Sequence, residues 1–216
     1  MALLDLLIPP ACAGCGRTGA LLCNACLGRL EPPWRAEDRF VAPDAGVVIG
    51  DALTLALAAF AYQGPMRRAL AALKYTGASR LAPILARVAL PALGTLTAIS
   101  GPAKLVSVPV HSERQRVRGY NQAELIGREL AKRSGLPMVP LLERPRPTTK
   151  QHRLDRAGRL ANLRGAFEVR AGAPVPATVI LVDDIITTTA TLESCASVLR
   201  EAGVSTVFGF AVAREV

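Results

Sequence analysis

A chain of 216 residues can bury one core with a small accessory module; half its residues are apolar but only 4% aromatic, so that core is built from Ala, Leu and Val. The net charge is +9, and residues 111 to 170 hold fourteen of the 26 Lys and Arg against six acids, which points to polyanionic partners, either nucleic acid or a polyphosphate. The sequence argues against a secretory leader and a transmembrane helix: the opening MALLDLLIPP has no basic residue, carries Asp5 and meets two prolines after eight residues, which leaves the cytoplasm as the expected compartment.

Two C-x-x-C knuckles come first, Cys12-Ala-Gly-Cys15 and Cys23-Asn-Ala-Cys26, with seven residues between them. Four thiolates at that spacing can close a tetrahedral zinc site, and Gly14 and Gly16 permit the tight turns it needs. Two disulfides are the alternative, disfavoured in a reducing compartment. A closed four-cysteine site has no open coordination position, so its expected role is structural. The stretch from Leu27 to about Gly50, rich in Pro and charge and holding Trp34, reads as the linker out of this module. The expected organisation is a zinc module with linker over residues 1–50 and a second unit over 51–216.

Leu53 to Tyr62 reads as a strand, and Gly64-Pro65 opens a helix ended by Lys74 and Gly77. Ser79 opens another helix, which Pro91 is expected to end near Ala89. Lys104 to Val110 is a core strand whose ladder must finish at Pro109. His111 to Arg118 reads as a loop carrying Arg114, Arg116 and Arg118, with His111 a loop residue without catalytic duty. A helix follows Gly119-Tyr120-Asn121-Gln122, with Asn121 and Glu124 placed as a capping box and Ala123, Ile126, Gly127, Leu130 and Ala131 on one face. The three arginines beside that helix start make an expected anion or nucleic-acid contact. Residues 143–166 have no clean period and are dense in Arg, a pattern read here as a mobile basic loop carrying Arg146, Lys150, Gln151 and Arg159.

The most informative run is Thr178 to Leu192. Val179 to Val182 reads as a strand buried on both faces, followed by Asp183 and Asp184 and then by Thr187, Thr188, Thr189 and Thr191 at the start of a helix. Leu192, Cys195, Ala196 and Leu199 give that helix its buried stripe; Gly203 stops it, and Val204 to Val212 is the next strand. Hydroxyls at a helix N-terminus suit a phosphate, while the upstream carboxylates suit sugar hydroxyls or a divalent metal. Phosphate at one end and ribose at the other describe a ribose 5-phosphate. A P-loop NTPase is excluded, because the chain has no Gly-Lys dipeptide.

This run resembles the 5-phosphoribosyl 1-pyrophosphate (PRPP) signature of type I phosphoribosyltransferases, an apolar strand, D-D and T-T-G-x-T, with Thr189 standing where that motif has glycine. The wider set appears in order along the chain: the double C-x-x-C, Lys74-Tyr75-x-Gly77, V-P-V-H with R-x-R-x-R-G-Y-N-Q, then Thr148, Gln151, Arg159, Asn162 and Phe167, then the D-D-threonine loop. It resembles the ComF family of bacterial competence proteins. The resemblance implies an α/β fold with a mostly parallel sheet of type I phosphoribosyltransferase type and a small four-cysteine zinc-finger module. It also implies Mg²⁺-PRPP as ligand, with Asp183 and Asp184 on ribose hydroxyls, the threonines on the 5-phosphate, and Arg146 and Lys150 near the leaving group. A role in natural transformation follows, with single-stranded DNA and a helicase-like competence protein as partners.

Two classes of function remain: a phosphoribosyltransferase, and a non-catalytic domain that binds PRPP or single-stranded DNA without turnover. Nothing in the sequence reads as an acceptor site. Against strong single-strand binding, Tyr120 and Phe167 are the only aromatic residues in the basic stretch. Thr189 carries one further expectation. If the cradle needs a residue at positive φ or a bare backbone, a β-branched side chain there is unfavourable, and Thr189→Gly should strengthen ligand binding several-fold.

Overall fold

The computed structural model describes residues 9–33, 47–48, 50–76, 78–145 and 165–215. Trp34, Gly77, Arg146, Thr148, Lys150, Gln151, Arg159 and Asn162 lie outside the described residues, as does nearly all of the basic loop. In chain order the elements are α1 (Asn24–Leu27), β1 (Val47–Val48), β2 (Leu55–Ala61), α2 (Gly64–Tyr75), a 3-10 turn (Ser79–Leu81), α3 (Ala82–Ser100) and β3 (Lys104–Ser107). They continue with α4 (Ser112–Arg118), α5 (Gln122–Ser134), β4 (Leu142–Glu143), β5 (Glu168–Val169), β6 (Thr178–Ile186), α6 (Ala190–Glu201) and β7 (Thr206–Arg214).

The main sheet has the order β1-β2-β7-β6-β3; β2, β7, β6 and β3 run parallel, and β1 joins antiparallel at the edge. This is the expected α/β architecture, and helices cover both faces. On one, Leu70, Leu73, Leu85, Leu93, Ile126 and Leu130 pack with Ile180, Val182, Phe208 and Phe210. On the other, Leu192, Cys195, Ala196 and Leu199 of α6 pack with Val179, Leu181, Val207 and Ala211. The β6–α6–β7 unit is the one the apolar run and helical spacing described.

Three boundaries differ from expectation for identifiable reasons. Helix α3 runs through Pro91 to Ser100, because Pro91 lies on the exposed face while Leu93 and Leu96 continue the buried stripe of Ala82, Leu85, Ala86 and Ala89. An interior proline costs about 3 kcal/mol, and two buried leucines return ~1.5–3 kcal/mol each. The segment Ser79–Ser100 is also long and apolar enough to cross a membrane, but here its Leu81, Leu85, Ala86, Ala89, Leu93 and Leu96 are packed in the core. The second difference is at His111–Arg118, where Ser112–Arg118 is a short helix and not a loop. Its ends are set locally: His111 Nδ1 accepts the Glu113 N–H at 3.3 Å, and Gly119 closes it at φ 81°. Third, β6 continues past the two aspartates to Ile186, because the ladder to β7 persists (Asp183 opposite Ala211, Ile185 opposite Ala213, Ile186 opposite Arg214). Strand β3 pairs only as far as Ser107 opposite Val182, so the aspartates stand beyond the end of their neighbour. The Val47–Val48 strand also falls inside the stretch read as linker.

Candidate functional site

The site is assembled where α2 ends, α4 and α5 meet, and β6 outruns β3. Arg118, Gly119, Tyr120, Asn121 and Gln122 hold these elements together. The Tyr120 hydroxyl donates to the Leu73 carbonyl at 2.6 Å, tying the α4–α5 junction to α2. Asn121 caps α5 by accepting the Ala123 N–H at 3.0 Å, and its Nδ2 donates to the Val108 carbonyl at 3.0 Å, fixing the end of β3. The other half of the expected capping box does not form that way: Glu124 pairs with Arg128 at 2.5 Å. Arg118 lies over the ring of Tyr75, 5.5 Å from its centroid.

Within this frame the two aspartates are neighbours in space as well as in sequence. Asp184 is 7% exposed, and its Oδ2 lies 2.7 Å from Lys74 Nζ. The contact is an ion pair without hydrogen-bond direction. Asp183 Oδ1 accepts the Asp184 N–H at 2.8 Å. Burial pushes the Asp183 carboxyl well above the usual carboxylate range and the charge of Asp184 adds to this; the Asp184 N–H and the Lys74 ammonium oppose it. Two acids share a site that holds one cation directly, an arrangement suited to ribose hydroxyls or a divalent ion.

The threonines follow at the N-terminus of α6: Thr187 is exposed, and Thr188, Thr189 and Thr191 are half-buried. Thr189 is the cap residue and its side chain makes no cap hydrogen bond. Its backbone is at φ −68°, and no residue other than glycine has positive φ among the described residues. The expected strain at Thr189 is therefore absent, which removes one of the two grounds for a gain from Thr189→Gly.

Arg114, Arg116 and Arg118 project from α4, none of them buried. The two aromatics of the basic stretch serve the fold: Phe167 is buried and Tyr120 is engaged at Leu73. In the N-terminal module the Sγ atoms of Cys12, Cys15, Cys23 and Cys26 all lie within 4.8 Å of one another, and Cys15 and Cys23 are 3.7 Å apart. Tetrahedral thiolate ligands at a Zn–S length of ~2.3 Å stand about 3.8 Å apart, so the cluster fits a metal ion. Burial pushes Cys12 up, but N–H groups of Cys23, Gly14 and Cys15 outweigh it and lower the thiol to about 6; burial and the neighbouring thiols push Cys26 to about 12. Gly14 is required, since a Cβ there would meet Cys26 Sγ at 2.6 Å. The module is docked and not tethered: Cys12, Leu22 and Cys26 belong to the same buried cluster as Leu70 and Leu73, and Arg68 Nε donates to the Gly14 carbonyl.

No protein-family model matches the chain. It is 32% identical over 204 residues to the DNA utilization protein YhgH of Salmonella typhimurium, covering 91% of this chain and 80% of that protein. It is 31% identical over 216 residues to competence protein F of Haemophilus influenzae, covering 95% and 85%. The chain belongs to the ComF family. A third relative, competence protein ComFC of Streptococcus pneumoniae, matches at 31% over 113 residues, 51% of this chain and 48% of that protein.

One cation of this ComF chain is placed where its sequence does not announce it. Arg144 leaves β4 with its guanidinium 5.0 Å from the centroid of the Phe167 ring. Burial pulls it below the usual guanidinium value and Arg114 adds to this, while Cys195 and Asp183 act in the opposite sense. The cation therefore lies within electrostatic reach of Asp183. Only the β4–β5 pairing, which brings residue 143 opposite 168, reveals it.

The raised carboxyl of Asp183 has a consequence for stability. Between its unfolded and folded values, the native state keeps a proton that the unfolded chain has released, so stability falls as pH rises through that window. Asp183→Asn removes the cost. Thermal unfolding at pH 7 should occur a few degrees higher, for a gain of about 0.5–2 kcal/mol, with a flatter dependence above pH 4. An unchanged or lower midpoint at pH 7 would contradict the placement of a costly carboxylate there.

Proposed function

We propose that the protein is a PRPP-binding, phosphoribosyltransferase-like component of bacterial DNA uptake, held together by a structural zinc ion and acting on single-stranded DNA in the cytoplasm. The observation that carries the reading is the adjacent pair of half-buried Asp183 and buried Asp184 beyond the end of β3, followed directly by the threonine-rich N-terminus of α6. Asp183 and Asp184 bind the ribose hydroxyls with Mg²⁺; Thr187, Thr188, Thr189 and Thr191 bind the 5-phosphate. The names of the relatives support the role in competence and DNA utilization. A helicase-like competence protein is the proposed partner, by family resemblance. Arg114, Arg116 and Arg118 contact the DNA backbone, and Arg146, Lys150, Gln151 and Arg159 belong to the basic loop expected to meet pyrophosphate or DNA.

A split between variants tests the two ligands. Asp184→Ala should weaken PRPP binding at least tenfold while barely changing salt-dependent DNA binding, because a carboxylate offers nothing attractive to a phosphate backbone. Changing Arg114, Arg116 and Arg118 together to Ala should weaken DNA binding and lower the slope of log affinity against log salt by up to about three. PRPP titrations untouched by Asp184→Ala would overturn the ribose reading.

A further inference from the structure

We infer that Tyr75 is a stacking platform for a base of single-stranded DNA, with Arg118 against its ring and the exposed Arg114 and Arg116 on the same short helix for the adjoining phosphates. The inference rests on the proposed role of DNA as a partner. Tyr75 ends α2 with 75% of its surface exposed, and it is the only exposed aromatic residue among the described residues. A core would bury such a ring, since each aromatic removes ~150–250 Å² from water. Val117, also large and apolar, is 84% exposed on α4 immediately before Arg118. The Arg118 guanidinium, 5.5 Å from the ring centroid, orients the ring by cation–π attraction, and the ring still keeps most of its surface open to solvent.

The platform is rigid before any ligand arrives. Tyr120 fixes the α4–α5 junction to the Leu73 carbonyl two residues before Tyr75. Gly119 at φ 81° sets the angle between α4 and α5. A flat exposed ring beside Arg118, on a short helix that also carries Arg114 and Arg116, matches a ligand with both planar faces and a series of negative charges. Single-stranded nucleic acid has both; a duplex hides its base faces in the stack, and an acidic peptide has no face for the ring. The aromatic residue missing from the basic stretch in sequence is thus supplied from the end of α2.

The test is fluorescence anisotropy of labelled oligothymidine with the full chain. Tyr75→Ala should weaken binding about tenfold, within the range for loss of one base-stacking contact, and leave the salt slope unchanged. Tyr75→Phe should retain most of the affinity, since stacking needs the ring and not the hydroxyl. Tyr75→Ala should leave duplex binding unaltered. An oligonucleotide with abasic positions should bind the unaltered protein more weakly and should show no further loss with Tyr75→Ala. Equal affinity of the Tyr75→Ala variant and the unaltered protein for oligothymidine would overturn the platform while leaving DNA as a partner. A loss accompanied by a shallower salt slope would assign Tyr75 to positioning Arg118, and would likewise overturn it. If the unaltered protein bound no oligothymidine even at low salt, the DNA reading itself would fail and the platform with it.

Discussion

Cys23→Ser is expected to reduce bound zinc from about one ion per chain to essentially none, measured by metal analysis of the purified protein. Four thiolates complete one tetrahedral site and three with a hydroxyl do not, because the hydroxyl stays protonated and is a far weaker ligand for a borderline-soft ion. Structural zinc contributes on the order of 10 kcal/mol in small finger modules, so its loss should unfold residues 9–33. The damage should also reach α2. Cys12, Leu22 and Cys26 share a buried cluster with Leu70 and Leu73, and Arg68 holds the Gly14 carbonyl. Hydrogen exchange should therefore accelerate in residues 9–33 and in α2 while β6 and β7 remain protected. Protein that contains no zinc and carries both knuckles as oxidised pairs under reducing conditions would contradict the metal site.

The second large effect is expected at Lys74. Lys74→Met removes the ammonium 2.7 Å from Asp184 and leaves a carboxylate that is 7% exposed without its cation. Removing one partner of a buried pair costs ~3–5 kcal/mol. The Lys74 side chain is 21% exposed, so solvent screens part of this and a loss of about 2–3 kcal/mol is expected, lowering the unfolding midpoint by about 5–10 °C. The double variant Lys74→Met with Asp184→Asn should recover most of that stability, because no unpaired charge remains. It should not recover PRPP binding. A double variant no more stable than Lys74→Met alone would show that Lys74 stabilises α2 by packing and not by its charge.

Much of this was legible in the chain. The β6–α6–β7 unit was readable because a continuous apolar run and an i, i+3, i+4, i+7 stripe report burial directly. The cysteine knuckles were readable because ligand spacing constrains geometry whatever the surrounding fold. Helix α4 was not readable: it buries no residue, so it has no periodic signal, and it exists through the His111 cap and the left-handed Gly119. Pro91 misled because the stripe continuing beyond it outweighs the local preference. The extension of β6 through the aspartates depends on its β7 partner, where Ala211 and Ala213 continue the ladder, and strand pairing is not visible in one segment alone.

In the site, residue types were legible and their contacts were not. Asp183, Asp184 and the threonines could be named from chemistry and resemblance. That Lys74 is the counter-ion of Asp184, that Arg144 comes within electrostatic reach of Asp183, and that Tyr75 meets Arg118 are consequences of tertiary packing between segments 39 or more residues apart. Thr189 marks a different limit. A departure from a glycine motif signals strain only where the backbone demands positive φ, and at Thr189 φ is −68°.

The measurement that bears most directly on the central claim is a calorimetric titration of PRPP into the zinc-loaded full chain, with and without Mg²⁺. One saturable site per chain, strengthened by Mg²⁺ and lost in Asp184→Ala, is the predicted result. No binding at millimolar PRPP by a folded protein that still binds oligothymidine would contradict it, and would leave a non-catalytic single-stranded DNA adaptor.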